Sequence, residues 1–194
     1  MNRIIASLRY RINRFFGQLS KPTIVYGYKR ADGLFLKNTR ISTSTAIISP
    51  ETLHIEDHVF IGHFNFIEAS NSISIGEGVQ ITNFVSITSH SSHHAIRLYG
   101  KDYRNTKKDL GYVKGAIEIG AYTFIGPHSL ISPNTKIGKG SIVAAYSSVS
   151  GEFPDYSIIA GNPAQVIGTT KKKDQEFLDK HPELKKSYYD QENL

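Results

Sequence analysis

The sequence predicts an all-β solenoid, a parallel β-helix, and three observations carry that expectation. The first is an aliphatic residue at every sixth position. Ile41, Ile47 and Leu53 set one register, Ile55, Ile61, Ile67 and Ile73 the next, and Ile75, Ile81 and Ile87 a third that Ile117 rejoins. Ile119, Ile125, Ile131, Ile137, Val143 and Val149 make the longest run. The second is a small or β-branched residue four positions after the aliphatic one, as at Val79, Val85, Thr123, Ser129, Thr135, Ser141 and Ser147. The third is a two-residue slip between registers at Leu53 to Ile55, Ile73 to Ile75 and Ile117 to Ile119, set in similar text (ISIGEGVQI and IEIGAYTFI).

A helical period of about 3.6, or the alternation of a strand, produces no such pattern. Three units of six per turn do. Each aliphatic side chain then points to the axis of a triangular coil, and turns stack at strand spacing, roughly 4.8 Å. Residues 41–160, less the interruption, supply about five turns.

In chain order, residues 1–40 form a basic lead-in. Ile4, Ile5, Leu8, Ile12, Phe15 and Phe16 fall at helical spacing with Arg3, Arg9, Arg11 and Arg14 among them, so residues 3–16 predict an amphipathic helix. Two roles stay open for it: a cap on the open end of the solenoid, or a helix lying on an anionic membrane surface. Residues 41–168 hold the solenoid, broken by a loop at 88–116 that is long enough to protrude and to carry function. Residues 169–194 predict a short polar helix, broken near Pro182 and packed through Phe177, Leu178 and Leu184.

A length of 194 residues fits one domain, and 39% hydrophobic with 21% charged residues is the composition of a folded chain. The sequence has no cysteine, which excludes disulfides, thiolate metal sites and cysteine nucleophiles. No apolar run approaches the ~18–20 residues of a membrane span. The early arginines interrupt what would be the core of a secretory signal. The expectation is a cytoplasmic protein, at most peripheral on the inner face of a membrane. The net charge of +6 sits at the front: residues 1–40 carry nine Lys/Arg against Asp32 alone. A basic head on a near-neutral body is not the working face of a nucleic-acid binder, and points to a local contact with something anionic.

The stretch IGAYTFIGPHSLISPNTKIGKGSIVAAYSSV, followed by FPDYSIIAGNPAQVI, resembles the left-handed β-helix acyltransferases with hexapeptide repeats, in particular the galactoside, maltose and polysaccharide O-acetyltransferase group. The resemblance covers roughly residues 50–168 and is specific at two places. One is the Gly161-Asn162-Pro163-Ala164 exit after the last coil, and the other is the histidine-bearing loop. It implies left-handed winding, a homotrimer, acetyl-CoA as co-substrate with no metal, and direct acetyl transfer to a sugar hydroxyl of a bacterial surface glycan. N-acetylation of an amino sugar is the alternative.

The loop carries His90, His93 and His94. A sugar hydroxyl is a poor nucleophile at neutral pH, and histidine is the side chain whose pKa suits removal of its proton. The text SHSSHHAIR resembles the family's catalytic loop, which carries the base to His90, with His93 and His94 as alternatives. The resemblance further implies an acceptor-orienting role for Asn65, for which His63 competes. It implies coenzyme contacts at Phe124, Pro127, Ala145, Ser150 and Gly151. Relatives place a lysine after the position of Ser150; here it is Gly151, so a cation from Lys171–Lys173 would have to serve the coenzyme phosphates. Phe124 stands where relatives often have tryptophan. Arg97, Lys101, Arg104, Lys107 and Lys108 follow the histidines and favour an anionic acceptor such as a sialic or uronic acid.

A different class is also open. Gamma-class carbonic anhydrases use this solenoid with zinc-binding histidines, two of them five residues apart, and His58 and His63 have that spacing. The order of the remaining histidines and the long loop favour acyl transfer.

Overall fold

The structure, a computed structural model, describes residues 3–105 and 110–191. Lys107 and Lys108 lie outside the described residues. The six-residue period resolves into three parallel faces. On the first face Arg40–Ile41 is followed in successive turns by Phe60–Ile61, Gln80–Ile81, Phe124–Ile125, Ile142–Val143 and Ser157–Gly161. The second stacks Ala46–Ile48, Phe66–Glu68, Ser86–Thr88, Leu130–Ile131 and Ser148–Val149. The third stacks Leu53–Ile55, Ile73–Ile75, Ile117–Ile119, Thr135–Ile137 and Glu152–Phe153.

The inward residues form the core. Ile61, Ile67, Ile73, Ile81, Ile87, Ile117, Ile125 and Ile131 are completely buried, and each contributes on the order of 1.5–3 kcal/mol by leaving water. The two-residue slips have a simple cause. Leu53 with Ile55, and Ile73 with Ile75, are alternate residues of one strand, both buried on the third face. The extra length sits at the edge between the second and third faces, and the long loop leaves from that same edge one turn later.

Most corners turn through a residue with positive φ, as at His58, Phe64, Phe84, Tyr122, His128, Asn134, Tyr146 and Tyr156. The small buried residue comes next, and where it is Ser or Thr its hydroxyl satisfies a carbonyl that the bend would otherwise strand. Thr123 donates to Gly138 O (3.1 Å), Ser129 to Ala144 O (3.0 Å) and Ser157 to Pro154 O (2.7 Å). Where the turns approach closely, glycine is needed: a Cβ at Gly120 would stand 2.4 Å from the Lys139 backbone nitrogen.

Both ends of the first face are closed by antiparallel hairpins, Ile24–Lys29 with Phe35–Ser42 and Ser157–Gly161 with Ala164–Thr169. At the start of the chain the hairpin thus takes the capping place, one of the two roles left open for the helix. Helix α1, Arg3–Leu19, leaves Ile5, Leu8, Ile12, Phe15, Phe16 and Leu19 exposed, while the first hairpin buries Leu36 and Thr39 at the coil's end. Loop 88–116 is an arm. His90–Ser91 pairs antiparallel with Val113–Lys114 at its base, and helix α2, Ala95–Tyr99, lies beyond. The tail forms helix α3, Thr170–Lys180, then a short 3-10 segment from Pro182. Of its expected anchors only Leu178 is buried; Phe177 and Leu184 are exposed. Asp190 supplies the rest, accepting from the Tyr156 hydroxyl and from Lys139 Nζ.

Candidate functional site

The base of the arm gathers a buried carboxylate and an accessible imidazole. Glu68 ends its strand on the second face, in register with Thr88 one turn on. Two residues beyond Thr88, His90 turns back so that its Nδ1 lies 2.7 Å from a Glu68 carboxylate oxygen. The imidazole side chain is 39% exposed and the carboxylate side chain 8%. Ser70 N–H (3.0 Å) and the Ser89 hydroxyl (3.0 Å) also donate to Glu68, and the Ser70 hydroxyl lies 3.3 Å from Nδ1. Burial pushes the Glu68 carboxyl up, but donors from Ser70, His90 and Ser89 outweigh it and hold the group below the usual carboxylate range. An ionised carboxylate only accepts, so Nδ1 carries the hydrogen and Nε2 is left as the free basic nitrogen.

His93 and His94 differ from His90 in this respect. Both are exposed. The Ser91 hydroxyl meets His93 Nδ1 at 2.8 Å, and Arg97 donates to His94 Nδ1 at 2.7 Å and to the His93 carbonyl at 2.6 Å. Neither has a carboxylate partner on its ring among the hydrogen bonds of the described residues. Arg97, Lys101 and Arg104 are exposed along the arm, with the Arg104 Nε 3.1 Å from the Tyr103 hydroxyl.

Asn65 does not face outward. It is 2% exposed, donates to Gly62 O (3.1 Å) and Thr82 O (2.8 Å), and accepts from Val85 N–H (2.7 Å). Its amide bonds within its own turn and ties that turn to the next, which leaves no outward-facing group for the expected acceptor-orienting role. His63, its competitor, is half-buried with Nδ1 2.7 Å from the Ser42 hydroxyl. His58 and His63 stand at opposite corners of the first face, either side of Phe60–Ile61, and so do not converge on one metal position.

The coenzyme candidates divide between edges. Pro127 and Ala145 lie one turn apart on the edge between the first and second faces, where the Tyr146 N–H donates to Pro127 O at 2.9 Å. Phe124 projects from the first face, between Gln80 and Ile142. Ser150 and Gly151 lie on the edge between the second and third faces, the edge that carries His90. Ser150 is exposed, and a Cβ at Gly151 would meet nothing within 4 Å. Lys171 is elsewhere. Its ammonium sits 4.2 Å above the Tyr156 ring on the remaining edge, away from Ser150 and Gly151. The expected phosphate role therefore lacks support from its position.

Residues 116–151 match the bacterial transferase hexapeptide family, described as six repeats. That stretch of the chain carries the repeat of the family. Among its relatives, the galactoside O-acetyltransferase of Escherichia coli is 30% identical over 131 residues, covering 66% of this chain and 60% of that one. A putative lipopolysaccharide biosynthesis O-acetyl transferase of Escherichia coli (WbbJ) is 29% identical over 116 residues, 59% of each chain. The chain spans less than two thirds of the length of these relatives. The solved N-acyltransferase AntD of Bacillus cereus shares the fold, at TM-score 0.51 and 24% identity over 74% of this chain and 88% of that one.

Glu68 is not among the residues the sequence points to; its one signal there is an acidic residue next to Ile67 in an otherwise aliphatic ladder.

Proposed function

We propose that the protein is an acetyl-CoA-dependent O-acetyltransferase acting on a sugar hydroxyl of a bacterial surface glycan, with His90 as general base. The observation that carries this reading is the Glu68–His90 pair. Nε2 takes the hydroxyl proton as the sugar oxygen attacks the thioester carbonyl. A C–O bond forms, the C–S bond breaks, and the leaving thiolate is protonated from the imidazolium. Glu68 holds the ring in one tautomer and stabilises its charged form, without itself taking the proton. The names of the two Escherichia coli relatives support sugar hydroxyls as acceptors.

The active form is a homotrimer of left-handed coils, with coenzyme bound between neighbours. Pro127 and Ala145 occupy one edge and His90, Ser150 and Gly151 the next, with the second face between them. A second copy seated on that face brings its own edge alongside, so that one coenzyme meets groups from both. Phe66 and Leu130, exposed on that face, give an apolar surface for the contact. Arg97, Lys101 and Arg104 receive an anionic glycan.

The test incubates the full chain with acetyl-CoA and a panel of neutral, anionic and amino sugars, read by mass spectrometry. Gain of one acetyl group that mild alkali removes identifies an ester, the expected product. An alkali-stable acetyl group on amino sugars alone would replace this reading with N-acetylation.

A further inference from the structure

We infer that α1 is an in-plane anchor for an anionic bilayer surface. Its 17 residues leave Ile5, Leu8, Ile12, Phe15, Phe16 and Leu19 exposed to solvent. At a helical step of about 100° these six fall within one arc of about 100°. An apolar face of that size, uncovered within the chain, marks an interaction surface. The coil gives it no occupant, because the first hairpin already closes that end.

Charge selects the occupant. Arg9 and Arg11 border the apolar arc on its two sides, and Arg14 lies further round. The first acidic residue of the chain is Asp32, so nothing along α1 offsets the arginines. Pairing with α1 of a second copy would bring like charges together along both borders of the seam. A bilayer with anionic headgroups meets both features: acyl chains receive the apolar arc, and the flanking arginines reach up to the phosphates. The helix lies on the surface; no helix among the described residues is long and apolar enough to cross a membrane.

The sequence has no tryptophan, so Phe15→Trp supplies a single reporter in the full chain. The probe is a vesicle of phosphatidylcholine with about 30% phosphatidylglycerol, against phosphatidylcholine alone. The indole emission shifts to the blue and the protein floats with the anionic vesicles, and binding falls about tenfold without the anionic lipid. Leu8→Glu with Ile12→Glu abolishes flotation while the melting temperature stays at the wild-type value, since those side chains are exposed and lie outside the buried core. Absence of the blue shift with anionic vesicles, or flotation undiminished in the double variant, overturns the inference. A blue-shifted indole without vesicles, together with a smaller assembly in the double variant, overturns it in favour of a second copy. The readout uses no acetyl-CoA, so it succeeds or fails independently of the proposed acetyl transfer.

Discussion

A carboxylate oxygen of Glu68 lies 2.7 Å from Nδ1 of His90, and the two residues come from adjacent turns of the coil. Coil stacking brings the carboxylate in beneath the arm, and the hairpin at the arm's base sets the imidazole over it. The pair leaves one histidine nitrogen inward and held, the other outward and free.

His90→Ala removes the proposed base. Turnover is expected to fall ~10²–10⁴-fold, while coenzyme A still raises the melting temperature as in the wild type. Full activity in this variant, with loss in His93→Ala or His94→Ala, would move the base along the arm.

Glu68→Gln keeps the size of the side chain and removes its charge. Turnover should drop on the order of tenfold or more, with the acceptor KM little changed, because ring orientation and imidazolium stabilisation act on the reacting state. A merely structural role would lower the melting temperature and leave turnover per folded molecule intact.

The same carboxyl predicts a pH dependence of stability. Its folded pKa lies below the ordinary value, so the folded state favours the ionised form. That contribution is present in full above the unfolded glutamate pKa, about 4.3, and is lost as pH falls through the lower folded value. The stability advantage of wild type over Glu68→Gln should shrink as pH falls below about 4.3, the range in which the carboxyl itself titrates. An advantage that grows within that range would contradict the sign.

Gly120→Ala places a methyl group 2.4 Å from the Lys139 backbone nitrogen of the next turn. A loss of about 1–3 kcal/mol is expected in chemical denaturation. Gly17→Ala is the control: nothing lies within 4 Å of its Cβ, so the coil's transition should not move. Equal effects of the two would show that turn-to-turn spacing is slack.

Arg97, Lys101 and Arg104 are exposed, so their attraction for an anionic acceptor is screened once the Debye length falls to ~8 Å or less. The KM for an acidic glycan should rise with ionic strength while that for a neutral sugar stays level. Replacing Lys101 and Arg104 by Ala should give the same rise at low salt with kcat unchanged. A salt-independent KM on the best acceptor would leave these residues as surface charge.

Light scattering at micromolar concentration should give the mass of three chains. A monomer with full activity would rule out a coenzyme site shared between copies.

The coil was legible in the sequence because its rule is local. One aliphatic residue in six, with a small residue four positions on, is enough to specify each turn, and every turn repeats the same bend. Ile61, Ile81 and Ile125 could thus be placed on the axis without knowing what stacks above them. The loop and its histidines were legible as a break in that period. Glu68 was not, because its partner is set by how many residues each corner holds and by the hairpin that folds the arm back. Asn65 is a related case: an asparagine looks available in a sequence, and only the coil's geometry shows its amide bonded to Gly62, Thr82 and Val85. Lys171 is near Ser150 along the chain, yet the change of edge between them puts its ammonium over Tyr156. The apolar arc of α1 is written in its spacing, but only the tertiary structure decided that the first hairpin, and not the helix, closes the coil. Periodicity is a property of neighbours along the chain; contacts between edges depend on the accumulated length of every turn, which no short stretch of sequence contains.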